Sequence, residues 1–101
     1  MKLSFEWDAD KAKCNLRDHG VSFEEAETVF DDPFLMTYSD PDHSENEERF
    51  LSIGISSKAR ILMAIHTDRG ENIRIISSRK LTKSERQDYE EGDFRKSRFA
   101  K

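Results

Sequence analysis

The sequence predicts an α+β domain, an antiparallel sheet with two N-terminal helices on one face. Three observations carry this. Within residues 60–80, two apolar, β-branched runs flank a short polar turn, the pattern of a hairpin whose first strand is covered on both faces. Upstream, residues 9–19 and 23–30 have helical spacing behind Asp8 and Ser22, two residues suited to capping. The four strands expected after them are joined by connections too short for parallel crossovers, so they form an antiparallel meander. The predicted order is β-α-α-β-β-β-β-α.

Each element has its own signal. Leu3, Phe5 and Trp7 alternate with Ser4 and Glu6, a short half-buried strand. Asp8 caps a helix over 9–19, with Ala9, Ala12 and Leu16 facing inward and Lys11, Lys13 and Arg17 outward. Gly20 stands where a helix end favours a left-handed residue. Ser22 and Glu25 form a capping box for a second helix, whose Phe23, Ala26, Val29 and Phe30 make an apolar stripe. Asp31-Asp32-Pro33 ends it. A strand follows over 34–38, then an acidic loop over 39–48. The strand over 49–56 puts Leu51, Ile53 and Ile55 on one face and Phe50, Ser52 and Gly54 on the other. Ile61 to Ile65 form the central strand, Ile73, Ile75 and Ile76 its partner, and Gly70 supplies a positive φ between them. Thr82 and Glu85 box the start of a last, polar helix that is anchored by Tyr89 and ended by Gly92. Residues 1–92 are expected to form one domain and residues 93–101 a charged tail.

Composition narrows the class. The 101 residues are 35% hydrophobic and 38% charged, a small core in a well-solvated shell. No apolar run approaches the ~20 residues of a membrane helix, so no membrane role is expected. The opening residues go straight into a strand pattern, so no signal peptide is expected. One cysteine, Cys14, excludes internal disulfides and fits a reducing cytoplasm. The net charge of −4 weighs against nucleic acid, but its distribution does not. Residues 1–59 carry 6 Lys/Arg against 14 Asp/Glu; residues 60–101 carry 11 against 7. A basic second half beside an acidic first half suggests a polarised surface, or simply two differently decorated faces.

The chemistry-bearing residues cluster in and around the central hairpin. With a three-residue loop at 69–71, His66 lies opposite Arg74 on one face; a two-residue loop would lose that contact. An imidazole beside a guanidinium is biased toward neutrality and can serve as a general base. The plainer reading of the same residue is a histidine closing a strand at the sheet rim. Arg69, Arg74, Arg79 and Lys80 are candidate phosphate ligands, since guanidinium forks match phosphate oxygens. Arg79 and Lys80, being adjacent, point to opposite faces unless the strand has ended, and either can instead pair with Glu85 or Asp88. Arg49 can join the group, oriented by Glu47 or Glu48. Trp7 can stack on a base or pack in the core. His19, in the last turn of the first helix, and Tyr89 are candidate proton donors. Asp40-Pro41-Asp42-His43-Ser44-Glu45 lines up ligand types but lacks the glycine and flanking helices of a calcium loop. The three histidines are scattered, so neither a metal site nor a cofactor is expected. There is no glycine-rich phosphate loop and no Ser/His/Asp elbow.

Several of these stretches occur together in a known order. They are Phe5-Glu6-Trp7-Asp8, Lys11, Asn15, His19-Gly20-Val21-Ser22-Phe23-Glu24-Glu25-Ala26 and Phe30-Asp31-Asp32-Pro33. Glu48-Arg49, His66-Thr67-Asp68-Arg69-Gly70, Arg74-Ile75-Ile76-Ser77-Ser78-Arg79-Lys80 and Glu85-Arg86 to Tyr89 complete the series. The chain thereby resembles the BrnT family of toxins from type II toxin–antitoxin modules, over about Leu3 to Glu90. Ser78 stands where that family usually has alanine. The resemblance implies a RelE-like fold and a ribonuclease toxin that stops translation by cutting RNA. It also implies a BrnA-type ribbon-helix-helix antitoxin, through which the complex would bind operator DNA. The expected substrate is RNA, either free or ribosome-bound. For metal-free cleavage the candidates are His66 as base, Arg79, Arg69, Arg74 and Lys80 at the phosphate, and Arg49, Trp7, His19 and Tyr89 around the substrate. The rival reading is a module that holds the antitoxin and cuts nothing, to which the acidic first half lends itself.

Overall fold

Strand pairing begins at the hairpin that the isoleucines announce. β4 (Ile61–Arg69) and β5 (Asn72–Lys80) run antiparallel around the two-residue turn Gly70-Glu71, with Gly70 at φ +65°. β3 (Phe50–Ile55) pairs antiparallel with β4, and β2 (Met36–Ser39) with β3. The meander is as expected, but the sheet is not wholly antiparallel. β1 (Ser4–Glu6) lies on the outer edge of β5 and runs parallel to it, giving a mixed sheet in the order β1-β5-β4-β3-β2. The helices carry the chain across the sheet before β2 begins, so β1 is left at the edge that the last strand of the meander reaches. The computed structural model describes residues 3–40 and 47–92; most of the acidic loop and the expected tail lie outside them.

α1 (Ala9–His19), α2 (Phe23–Glu27) and a 3₁₀ turn (Thr28–Asp31) cover one face of the sheet. Val21, Val29, Leu62 and Ala64 form one buried cluster there, and Phe23, Ala26, Ile73 and Ile75 another. α3 (Lys83–Glu90) closes one end of the other face, where Leu81 and Tyr89 pack on Leu51, Ile53 and Met63. Thr82 and Glu85 form the full capping box. Gly54 is required by close approach, since a Cβ there would stand 3.0 Å from the Val29 carbonyl oxygen. Among the described residues no helix is long and apolar enough to cross a membrane.

Three local expectations are overturned by tertiary demand. Leu16 does not face inward; it is exposed, and the buried residue of α1 is Asn15. Ser22 caps α2 as expected, but the Glu25 carboxylate does not turn back to it. It reaches the Arg60 guanidinium, with Arg60 Nε donating to Oε2 at 2.9 Å, and accepts from Ser56 Oγ at 2.7 Å. The second helix tightens to 3₁₀ at Thr28, so its amphipathic stripe ends in a narrower turn.

Asn15 explains the most. The pairs Ile65↔Ser77 and His66↔Ile75 leave Ile76 as an extra residue, a β-bulge in β5. Beyond β1 the outer edge of β5 has no strand partner, and Asn15 takes that place. Its Nδ2 donates to the Ser78 and Val21 carbonyls at 2.8 and 2.9 Å, while its Oδ1 accepts from Ser78 N–H at 3.1 Å and Ser77 Oγ at 3.3 Å. Replacing Asn15 by Ala strands these buried backbone groups, each costing ~1–3 kcal/mol. Urea titration should show N15A less stable by about 2–4 kcal/mol, and L16A changed by less than about 0.5. Equal, small losses would remove the role given to Asn15.

Candidate functional site

The bulge decides which side chains share a face. Without it, Arg74 and Arg79, five residues apart, would project to opposite sides. With it, Arg74 pairs with Thr67 and Arg79 with Met63, both odd-numbered positions of β4 facing away from α1 and α2. Arg69, next to Thr67 on that side, completes a row of guanidiniums. Arg74 Nη1 donates to Glu6 Oε2 at 2.9 Å, which parallel pairing sets beside it. Arg69 reaches the same oxygen at 3.9 Å and Glu47 Oε1 at 3.2 Å. Thr67 stands directly opposite Arg74 and two residues before Arg69, and its buried Oγ1 has no hydrogen-bond partner among the described residues. Arg79 lies ~13 Å further along, at 3.2–3.4 Å per residue. It grips Glu85 with both amino groups, at 2.7 and 3.0 Å. That grip and the Thr82 cap hold the Glu85 carboxyl down to about 2 from the ordinary 4.5.

His66 does not share this face. The two-residue turn alone sets it opposite Ile75, since the bulge lies beyond this pair, so the expected His66–Arg74 pair is absent. It is 2% exposed and stands edge-on to Phe30, with Phe50 stacked beside it. Its Nδ1 is 2.8 Å from Asp68 Oδ1 and its Nε2 2.8 Å from Ser52 Oγ, which in turn is 2.8 Å from Thr37 Oγ1. A neutral ring fits this chain: Nδ1–H donates to the carboxylate, and Nε2 accepts from Ser52. Burial lowers its proton affinity, and Asp68 opposes part of that. The neutral state foreseen at the sequence level is thus favoured, by desolvation rather than by an arginine.

The other candidates separate. Lys80 pairs with Leu62, on the side opposite Arg79. Trp7 packs edge-on against Phe23 in the core cluster. His19 is exposed at the end of α1, away from the guanidinium row. Tyr89 is half-buried under the sheet, and burial pushes its hydroxyl up. Arg49 precedes β3 and is half-buried, its carbonyl bonded to Asp40 N–H. Glu47 reaches Arg69. Among the described residues no group of His, Cys, Asp and Glu could hold a metal ion. Glu6, Thr67 and Asn15 were not singled out for the site. Their positions follow from the parallel β1 and the bulge, which no local pattern encodes.

Fold and charge together define a small α+β protein with a guanidinium-rich sheet face. The family model described as the ribonuclease toxin BrnT of type II toxin–antitoxin systems matches residues 7–85, and the chain belongs to that family. Membership brings an antitoxin partner and an RNA substrate as the family's terms. A crystal structure of the Brucella abortus ribonuclease toxin BrnT matches with a TM-score of 0.59 at 21% identity, covering 81% of this chain and 100% of that one. That likeness carries the fold. No curated protein matches the chain.

Two titrations follow. His66, with its lowered proton affinity, contributes stability above about pH 6.5 that is lost as pH falls below it. H66Q should therefore lose less Tm than the parent between pH 7.5 and 5.5; an equal slope would show that His66 does not titrate in folding. Glu85 contributes stability above about pH 4.5 that is lost toward about pH 2. E85Q should be less stable by about 1–3 kcal/mol at pH 7, with the gap in urea midpoint closing as pH drops below 4.5.

Proposed function

We propose that this chain cuts RNA without a metal ion, by attack of a 2′-hydroxyl on the adjacent phosphate, and so inhibits translation. The observation that carries the reading is the Arg69–Thr67–Arg74 group on the sheet face, in a chain of the BrnT family. The two guanidiniums bind the phosphate oxygens and stabilise the charge that develops on them. The orphan hydroxyl of Thr67 gives a further donor at the floor. Glu6, in contact with Arg74 and near Arg69, takes the 2′-hydroxyl proton. The O2′–P bond forms and the P–O5′ bond breaks. The leaving oxygen is protonated from solvent, leaving a 2′,3′-cyclic phosphate and a 5′-hydroxyl. Arg49 flanks the RNA, while Arg79 stays with Glu85 and holds that end of the face. His66 acts as a positioning residue, tying Ser52 to Asp68 across β3 and β4. A ribbon-helix-helix antitoxin silences the chain and supplies contact with operator DNA.

A second reading, a non-cutting module that only holds its antitoxin, draws support from the acidic first half, whose net −8 suits a basic partner. Purified, antitoxin-free protein incubated with RNA, alone and with ribosomes, separates the two. Cleavage in EDTA with cyclic-phosphate ends is the expected result; intact RNA in both arms leaves only the binding role. R74A should lower the cleavage rate by about 10²–10³ with its Tm kept within a few degrees. R79A should lose Tm as well, since it leaves buried Glu85 unpaired. An unchanged rate in R74A would remove the guanidinium row from the site.

A further inference from the structure

A second cationic feature lies at the other end of the hairpin. A partly enclosed cavity of about 220 Å³ opens where β4 begins and β5 ends, lined by Ala59, Arg60, Ile61, Lys80, Leu81 and Arg86. In a chain of net charge −4, this lining holds three cations and no carboxylate. The cations differ in freedom. Arg60 is fixed: its Nε and Nη2 engage buried Glu25, and Nη2 also donates to the Gly20 carbonyl at 3.1 Å. Lys80 is exposed and forms no ion pair with a described residue. Arg86 is held only by an exposed contact to Glu90 at 3.8 Å, a pair of little strength. Ile61 and Leu81, both partly buried, give the cavity an apolar wall. The rim is set by the Ser56–Ala59 turn, where Ala59 takes φ +59° and Ser56 Oγ accepts from Lys58 and Arg60 N–H.

The geometry points to a phosphate-binding subsite for a nucleotide of the RNA strand, remote from the point of cleavage. Cations beside an apolar wall suit a phosphate joined to a sugar. The volume falls below the roughly 300–1,000 Å³ of pockets that enclose a whole small ligand, so the cavity holds one unit of a longer chain. Six residues of β5 separate Lys80 from Arg74, ~20 Å of strand, a span of several nucleotides. Lys80 leaves the face opposite Arg74, so a strand joining them turns round the end of the hairpin, and the pocket would set where the RNA makes that turn and which phosphate reaches Arg69 and Arg74. The RNA identity of the ligand rests on the function proposed above; the anion-binding chemistry of the cavity does not.

The test is binding by the antitoxin-free chain. A fluorescent single-stranded oligoribonucleotide with a 2′-deoxy block against cleavage is titrated into the parent, into K80A/R86A and into R74A, at several salt concentrations. The double variant should bind at least tenfold more weakly, with a shallower salt dependence and unchanged Tm. Equal affinity of parent and double variant, with R74A weakened, overturns the subsite and spares the proposed function. If no variant and no parent binds RNA, the proposed function fails, and amide shifts on titrating uridine monophosphate decide the pocket alone. Shifts confined to residues 59–61 and 80–86 then support an anion site; their absence overturns it. A mononucleotide that binds as tightly as the oligonucleotide overturns the strand assignment in favour of a free nucleotide. A polyglutamate peptide that shifts the same amides where uridine monophosphate does not overturns the phosphate assignment.

Discussion

A single extra residue in the last strand governs which way the arginines face. Ile76 has no partner in β4, and past it every side chain of β5 changes sides relative to an unbroken ladder. Arg74 and Arg79 end on one face because of that slip. The slip survives because Asn15 holds it. An amide side chain offers a donor and an acceptor in the spacing of a peptide edge, so it can satisfy Ser78 where β1 has already stopped. A strand partner would demand more chain; water would leave the edge of β5 open to pairing with another molecule. Asn15 thus links the packing of α1 to the geometry of a face on the far side of the sheet.

A second constraint fixes the opposite end. Glu25 is buried on α2 and would be costly as a lone charge. Arg60, at the mouth of β4, and Ser56, in the preceding turn, satisfy it. The same guanidinium reaches back to Gly20 at the end of α1. One carboxylate therefore ties both N-terminal helices to the start of the central strand and sets the wall of the cationic cavity. The bulge at the middle of the nine-residue hairpin strands and the ion pair at the mouth of β4 thus tie both N-terminal helices to one hairpin.

What could be read from the sequence was whatever depended on local pattern. Ala9–His19 has the predicted bounds, because Asp8 and Gly20 mark them chemically. The Thr82–Glu85 box formed for the same reason. The buried run from Leu62 to Ala64 lies at the centre of the sheet, as an unbroken apolar stretch requires. The family resemblance was legible too, and the family match agrees with it. The failures share another cause. Helical period put Leu16 inside, but the unsatisfied edge of β5 called for a polar residue one position earlier. The capping rule assigned Glu25 to its own helix, but a guanidinium 35 residues away bound it more strongly. His66 and Arg74 were paired by counting across a loop, and the count was wrong because the loop was one residue shorter; the bulge further on, which turns Arg79 onto the face of Arg74, carried no signature either.

Burial also resolves the apparent conflict between an acidic protein and a polyanionic substrate. Each arginine of the sheet has a carboxylate partner, so net charge says little about which cations are available. The partners differ in how deeply they sit. Glu25 and Glu85 have side chains 2% and 11% exposed, and Arg60 and Arg79 are committed to them. Glu6 and Glu47 are 38% and 45% exposed, as open as the arginines they touch. An exposed ion pair contributes about 0–1 kcal/mol, less than a charge-assisted, two-pronged contact to phosphate. The carboxylate partner is therefore more readily exchanged at Arg69 and Arg74 than at Arg60 and Arg79. Depth alone sorts the guanidiniums into those committed to buried carboxylates and those held only by exposed ones.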